Sequence, residues 1–364
     1  MSLRFLCEMK LISLIACVLG LVALVAGFPK QPSQPNNRPV VGVLTQPAAQ
    51  ALTPFGNAYI AASYIKYVEA GGAEAVPIFY NGTQEYLETM FKQVNGLLFP
   101  GGGSDIGPDS QLYQAAEFLF TLAIKANDNG EYFPIAGHCL GYEILSQLVS
   151  NNNFNILSNV DAENISLPLH FTPDARQSRL FSPASCPQYI YDIFQTQPVT
   201  MNNHEWAVTP QDFQTYMSSQ AQALSTNYDR QGKEFVSTWE MINYPIWAIQ
   251  VCLSPLLLFL FFCNFFLIFN FCKKWHAEKP IWEWNPDEGI NHSADSIEAN
   301  SWLSRYTGQQ VRNSLHAFPS QADLDTVIIY NYCPLYSEAL ISDFEQCYVF
   351  GPPSNGTDAP PGEM

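Results

Sequence analysis

The stretch Phe133-Pro134-Ile135-Ala136-Gly137-His138-Cys139-Leu140-Gly141-Tyr142-Glu143 decides how this chain is read. A short apolar run, 133–137, passes without a linker into the helix-patterned run 140–150. That predicts a buried strand turning directly into a helix, with Cys139 on the turn. A nucleophile so placed lies at the carboxyl edge of a sheet, where α/β proteins bind ligands. Gly137 and Gly141, two residues to either side, let the backbone turn tightly. The helix N-terminus favours thiolate over thiol and so makes the sulfur a better nucleophile. The alternative is a structural buried cysteine, the commonest state of a free one.

The same alternation extends upstream. Strands are expected at 40–44, 75–79 and 96–99, the last ending in Pro100-Gly101-Gly102-Gly103. Helices are expected at 59–70, stopping at Gly71-Gly72, and at 84–94 and 111–127. Beyond Asn151 the pattern loosens into short strands and loops. It resumes with a strand over 245–250 and a helix over 293–306. Short apolar strands alternating with helices predict an α/β fold, a parallel sheet covered on both faces in a three-layer sandwich. With no internal repeat and no long linker, one domain is the simplest account.

Composition excludes several classes. The 364 residues are 47% hydrophobic and only 13% charged, too apolar for a disordered chain. A formal net charge of -17 repels phosphate backbones and argues against nucleic-acid binding as the main task. No metal constellation stands out.

The Gly101-Gly102-Gly103 turn could bring backbone N–H groups to the same sheet edge as Cys139. With the N–H of Leu140, Gly101 and Gly102 would form an oxyanion hole; an ordinary strand-to-helix loop is the alternative. A cysteine enzyme also needs a base. Among the six histidines, His276 is followed by Glu278. In extended chain that spacing puts both side chains on one face, so the carboxylate can orient the imidazole. A solvated loop is the bland alternative.

The amino end reads as a signal peptide over 1–27, with Arg4 and Lys10 ahead of a charge-free run at 11–26 and small residues before Phe28-Pro29. Residues 28–37 form a lead-in. Sequons at Asn81, Asn164, Asn291 and Asn355 agree with a secreted or lysosomal glycoprotein. Of nine cysteines, Cys139, Cys186, Cys333 and Cys347 lie outside the leader and the apolar block described below. A Cys333–Cys347 bridge is the pairing considered.

The chain resembles the gamma-glutamyl hydrolase family, in the class I glutamine amidotransferase-like superfamily. The resemblance rests on Arg38-Pro39-Val40-Val41-Gly42-Val43-Leu44, Tyr59-Ile60-Ala61-Ala62-Ser63-Tyr64, Asn95-Gly96-Leu97-Leu98-Phe99-Pro100-Gly101-Gly102, the Cys139 elbow, Asn203-His204-Glu205-Trp206, Trp275-His276-Ala277-Glu278-Lys279 and Phe344-Glu345-Gln346-Cys347-Tyr348. These segments lie in order along nearly the whole chain after the leader. The resemblance implies a hydrolase domain over 38–350 with a tail over 351–364. It implies Cys139 as nucleophile, His276 as base and later acid, Glu278 as its orienting partner, and His204 near the γ-glutamyl group of the substrate. It implies no cofactor, and as partner a folate polyglutamate or another γ-glutamyl peptide; a homodimer is compatible with it. Two positions depart from the family pattern. His138 stands where Thr is usual and could perturb the thiolate. Ala277 stands where Pro is usual and should loosen a loop slightly.

One block breaks the pattern. In the family the strand ending at Gln250 runs directly into Trp275-His276, whereas here 251–274 intervenes. The run 251–272 carries no charge and is crowded with Phe and Leu, and Lys273-Lys274 follow. As a transmembrane helix it would reach about 33 Å, enough for a bilayer. A span there would put Cys139 and His276 on opposite sides of a membrane. A looped-out hairpin would leave a large exposed apolar patch. The favoured reading is an in-frame retained intron, because valine codons begin GT, lysine codons can end AG, and T-rich DNA encodes Phe and Leu. If the block stays in place, an impaired, polyglutamate-binding protein or a single-pass membrane glycoprotein is the alternative to an active hydrolase.

Overall fold

The computed structural model describes residues 35–250, 277–341 and 344–351. The expected signal peptide, the 251–274 block, His276, Asn355 and nearly all of the expected tail lie outside these residues.

In chain order the elements are β1 (Val40–Leu44), β2 (Gln46–Pro47), β3 (Ala58–Ala61), α1 (Ala62–Ala70), β4 (Glu74–Ile78), α2 (Gln84–Phe91), β5 (Gly96–Phe99), α3 (Gln111–Asp128), β6 (Ile135–His138) and α4 (Leu140–Val149). Then come β7 (Ser158–Leu167), β8 (His170–Phe171), α5 (Gln188–Thr196), β9 (Thr200–Ala207), α6 (Pro210–Tyr216), β10 (Ala221–Tyr228), β11 (Glu234–Met241) and β12 (Ile246–Ile249). The described chain finishes with α7 (Lys279–Trp282), α8 (Ala294–Val311), α9 (Gln321–Asp325), β13 (Leu335–Tyr336) and β14 (Gln346–Phe350).

The main sheet runs β4-β1-β5-β6-β12-β11-β10-β8. Its first five strands are parallel, and β11, β10 and β8 extend it antiparallel. Strands β1, β5, β6 and β12 are buried along their whole length. Such uniform burial belongs to parallel strands covered on both faces. The helices pack as two groups, α3 with α2 and α4, and α8 with α1, α5 and α7. The expected α/β fold with a parallel central sheet is what the chain adopts.

Two smaller sheets depart from the simple alternation. Strands β13-β14-β3-β2 form an antiparallel sheet, and β7 pairs with β9. Residues 59–61, expected to open a helix, lie in β3, and the helix starts at Ala62. Tyr348, Val349 and Phe350 of β14 pair with Ile60, Tyr59 and Ala58. A strand partner so distant in sequence outweighs local helical spacing. The region past Asn151 holds longer strands than expected: β7 has 10 residues and β9, β10 and β11 have 8 each. Their Ser, Thr and Asn content hides them from an apolar pattern. The considered Cys333–Cys347 bridge is not formed. Neither cysteine is in a disulfide, and β13 sets Leu335, not Cys333, opposite Cys347. No helix among the described residues is long and apolar enough to cross a membrane.

Candidate active site

Cys139 sits between β6 and α4, as its sequence surroundings predict, and its backbone is strained. Its φ is 60° and its ψ is -118°, a region that L-residues avoid. The elbow is tied down. Cys139 N–H donates to the Ile249 carbonyl at 3.1 Å, and its own carbonyl accepts from Tyr142 and Glu143 N–H groups at 2.8 and 3.1 Å. The flanking glycines are required by space. A methyl at Gly137 would stand 2.5 Å from Leu145 Cδ1 and 2.7 Å from the Gly141 carbonyl oxygen. One at Gly141 would overlap the Phe99 carbonyl.

The Gly-rich turn after β5 meets the elbow. A β-carbon on Gly101 would lie 2.7 Å from Cys139 Cβ and 2.9 Å from Cys139 Sγ, and would collide with the Tyr64 hydroxyl. Only a glycine lets the chain pass this close to the thiol. Gln46 of β2 locks the turn: its Nε2 donates to the carbonyls of Pro100 and Gly101 at 3.1 and 2.8 Å. Its side chain fills the space a β-carbon on Gly102 would need. Leu140 opens α4, where the first N–H groups have no acceptor within the helix. Cys139, Leu140, Gly101 and Gly102 are therefore brought together as expected.

Glu278 joins them through Tyr64. Tyr64 lies on α1 and is fully buried. Its hydroxyl meets the Glu278 carboxylate and the Gly101 N–H, with Cys139 close by. Burial, then the charges of Glu278 and Cys139, push the Tyr64 pKa well up, so the phenol keeps its proton. Glu278 is also fully buried. Burial raises its pKa well above the ordinary value, Lys279 and the Tyr64 hydroxyl pull it back, and Glu283 pushes it further up. A carboxyl held this way stays ionised best beside a cation.

The other expected site residues are placed as follows. His204 lies on β9, buried against the Phe235 ring at 4.5 Å, with Nε2 3.3 Å from Asn202 Oδ1. Burial lowers its pKa to about 3, so the ring is neutral. The end of β9 reaches the end of β12, the strand beside the elbow, where Gln250 Nε2 donates to the Trp206 carbonyl. His138 is buried against Tyr67 and Tyr64, with centroids 4.9 and 6.1 Å away. Burial lowers its pKa to about 3. A neutral ring puts no formal charge beside the thiol. Asn81 is exposed. The Asn164 amide is used inside the fold: Nδ2 donates to the Asp287 carbonyl at 3.0 Å and Oδ1 accepts the Gly289 N–H. Asn291 Nδ2 donates to the Pro198 carbonyl at 2.8 Å.

Sequence reading missed Gln46 and the function of Tyr64, because neither carries a local signature. It also missed a buried ion pair beside Glu278. Lys279 Nζ meets both carboxylate oxygens of Glu288, at 2.7 and 2.6 Å, with both side chains out of solvent. Lys279→Met should destabilise the protein by about 3–5 kcal/mol, because it strands a buried carboxylate. Urea unfolding of the variant measures this; a loss under about 1 kcal/mol would mean that solvent reaches Glu288.

The Peptidase C26 family model matches residues 39–150, a segment that includes Tyr64, Gly101 and Cys139. Gamma-glutamyl hydrolase B of Dictyostelium discoideum is 35% identical over 88% of this chain and 86% of its own length. Gamma-glutamyl hydrolase of Rattus norvegicus is 34% identical over 86% of this chain and 90% of its own. The Homo sapiens gamma-glutamyl hydrolase is 32% identical over 92% of this chain and 97% of its own. With relatives at this identity aligned along almost their full length, and with the elbow, the Gly-rich turn and Glu278 gathered at one sheet edge, the chain belongs to the gamma-glutamyl hydrolase family.

Proposed function

We propose that this protein hydrolyses γ-glutamyl peptide bonds, with folate polyglutamates as the substrate class, through Cys139, His276 and Glu278. The observation that carries this reading is the strained elbow at Cys139, its thiol set against Gly101 and linked through Tyr64 to Glu278. The Cys139 thiolate attacks the γ-carbonyl carbon, and the carbonyl electron pair moves to oxygen. Backbone N–H groups of Leu140 and Gly102 hold that oxyanion, while the Gly101 N–H, given to the Tyr64 hydroxyl, fixes the turn. Protonated His276 gives its proton to the leaving nitrogen as the C–N bond breaks, which leaves a thioester on Cys139. His276 then takes a proton from water, the hydroxide attacks the thioester, and the thiolate is released. Glu278 orients the imidazole and balances its charge. His204 contributes to the pocket for the γ-glutamyl group.

The substrate is a chain of carboxylates, and the protein is acidic. Cationic side chains and backbone donors in the cleft, and an acidic compartment, offset the repulsion. A signal peptide over 1–27 and a glycan on the exposed Asn81 fit a secreted or lysosomal enzyme.

Gln250 and Ala277, the described residues on either side of 251–276, are both fully buried. The block 251–274, read as a retained intron, separates the strand beside the elbow from the residue that supplies the base. The test is glutamate release from a folate polyglutamate by the full chain and by a version lacking 251–274. Activity confined to the shortened protein is the expected result. Equal activity would show that the block loops out harmlessly. No release from either well-folded protein would overturn the hydrolase reading.

A further inference from the structure

The turn that meets Cys139 has no long side chains of its own to hold it. After β5 it runs through Pro100 into adjacent glycines, and glycine lets a peptide plane turn over at little cost. Two other elements fix those planes. Gln46 of β2 is buried; its Nε2 donates to the carbonyls of Pro100 and Gly101 at 3.1 and 2.8 Å, and its Oε1 accepts from the Ser104 hydroxyl at 3.3 Å. Tyr64 takes the Gly101 N–H on its hydroxyl. Strand β2 is itself pinned. Gln46 and Pro47 pair with Tyr59 and Ala58 of β3, and the Ala48 N–H donates to the Asn57 carbonyl at 2.9 Å. In a trans peptide the C=O and N–H point in opposite directions. The Gly101 carbonyl and the Gly102 N–H belong to one peptide unit, so the bond from Gln46 turns the Gly102 N–H to the far side. Among the described residues no backbone acceptor meets that N–H.

We propose that Gln46 is a positioning residue for the hydrolytic reaction: its carboxamide sets the Gly101–Gly102 peptide so that the Gly102 N–H is presented to the oxyanion formed at Cys139. This rests on the hydrolase reading above. A β-carbon on Gly101 would come within 2.9 Å of Cys139 Sγ, so the peptide that follows Gly101 stands beside the reacting atom. The partners demand this residue type. Two carbonyls converge on one nitrogen and a hydroxyl on the neighbouring oxygen, and a primary carboxamide offers two donors and an acceptor on one planar end. An ionised glutamate would set its carboxylate against two carbonyls. Methionine would fill the same length and donate nothing, and asparagine would stop one methylene short. The hydrogen bond on the Gly101 carbonyl also polarises that peptide and makes its N–H a better donor. Without Gln46 the glycine peptide is free to turn over and carry its donor away from the site. One oxyanion donor is worth about 10²–10³ in rate.

The test follows two reactions of Cys139 in the full chain, neither of which needs His276. The first is acylation by the γ-(4-nitrophenyl) ester of N-benzoylglutamate. The thiolate attacks the ester carbon and the carbonyl pair moves to oxygen; its return expels 4-nitrophenolate, which leaves without taking a proton, and a thioester remains. The second is alkylation by iodoacetamide, in which the thiolate displaces iodide from a saturated carbon and no oxyanion forms. Cys139→Ala gives the background for both. Gln46→Met should be acylated about 10²-fold more slowly than the unaltered chain and alkylated within about twofold of it. Gln46→Asn should lose about tenfold in acylation alone, and it keeps the test readable if methionine disturbs the fold. A merely structural role would move both rates together. Acylation and alkylation changing by the same factor, or neither changing, overturns the proposal. A selective loss of acylation, with no glutamate release from a folate polyglutamate by any form of the protein, supports the role of Gln46 and overturns the hydrolase reading instead. Acylation of the unaltered chain no faster than that of Cys139→Ala removes the oxyanion site, and this proposal with it.

Discussion

Replacing Cys139 with alanine is expected to abolish glutamate release, by about 10⁴-fold or more, while the protein stays folded. The loss is chemical: no other group stands on the elbow to take the acyl chain, and binding survives because the backbone donors remain. The structural effect is small, since the change removes one sulfur atom from a buried site. It leaves the unfavourable backbone in place, because alanine at φ 60° is as strained as cysteine. Cys139→Gly tests that strain directly. It should be equally inactive yet about 1 kcal/mol more stable than Cys139→Ala, because glycine adopts positive φ freely. Turnover by Cys139→Ala at the level of the unaltered chain would remove Cys139 from the mechanism. Equal melting temperatures for the two variants would show that the elbow stores no strain.

The second large effect is on the fold. Gly141→Ala should destabilise the protein by about 3 kcal/mol or more, with loss of soluble protein a credible extreme. The added methyl would overlap the Phe99 carbonyl oxygen and stand 2.6 Å from its carbon and 2.8 Å from Phe99 Cβ. These are mainly backbone atoms of a central strand, so no side chain can swing aside. Gly107→Ala is the control, because its β-carbon would meet nothing closer than a flexible Asp105 oxygen at 3.3 Å. It should stay within about 0.5 kcal/mol of the unaltered chain. Chemical denaturation of both variants compares them; equal stabilities would mean that α4 and β5 can move apart without cost.

The elbow was legible because its determinants are local: an apolar strand, two glycines, a cysteine and a helix lie within a dozen residues. The Gly101-Gly102 turn was legible for the same reason. Tyr64 was not, because nothing around it distinguishes it from Tyr67, which faces the same core three residues on. Its hydroxyl gains meaning only when α1 packs against the elbow and Glu278. Gln46 was hidden likewise, since its partners are the carbonyls of residues 100 and 101. Residues 59–61, expected as helix, are strand because their partner, β14, lies at the far end of the chain. His204 is singled out only by resemblance, for its surroundings on β9 come from β7 and β11. Glu283 and Lys279 carry no local mark of burial, and only the fold takes water away from them.

The pairing of β14 with β3 also sets a timetable. The elbow and its Gly-rich turn lie in the first half of the chain, and the β12 carbonyl that ties the elbow down follows later. Phe344, Glu345 and β14 emerge near the end, and only then can β3 find its partner strand and Glu283 accept the Glu345 N–H. Domains synthesised from the amino end fold progressively as their parts emerge. A nascent chain on the ribosome would hold its cysteine in a half-built cleft, so competence would arrive with release of the finished polypeptide.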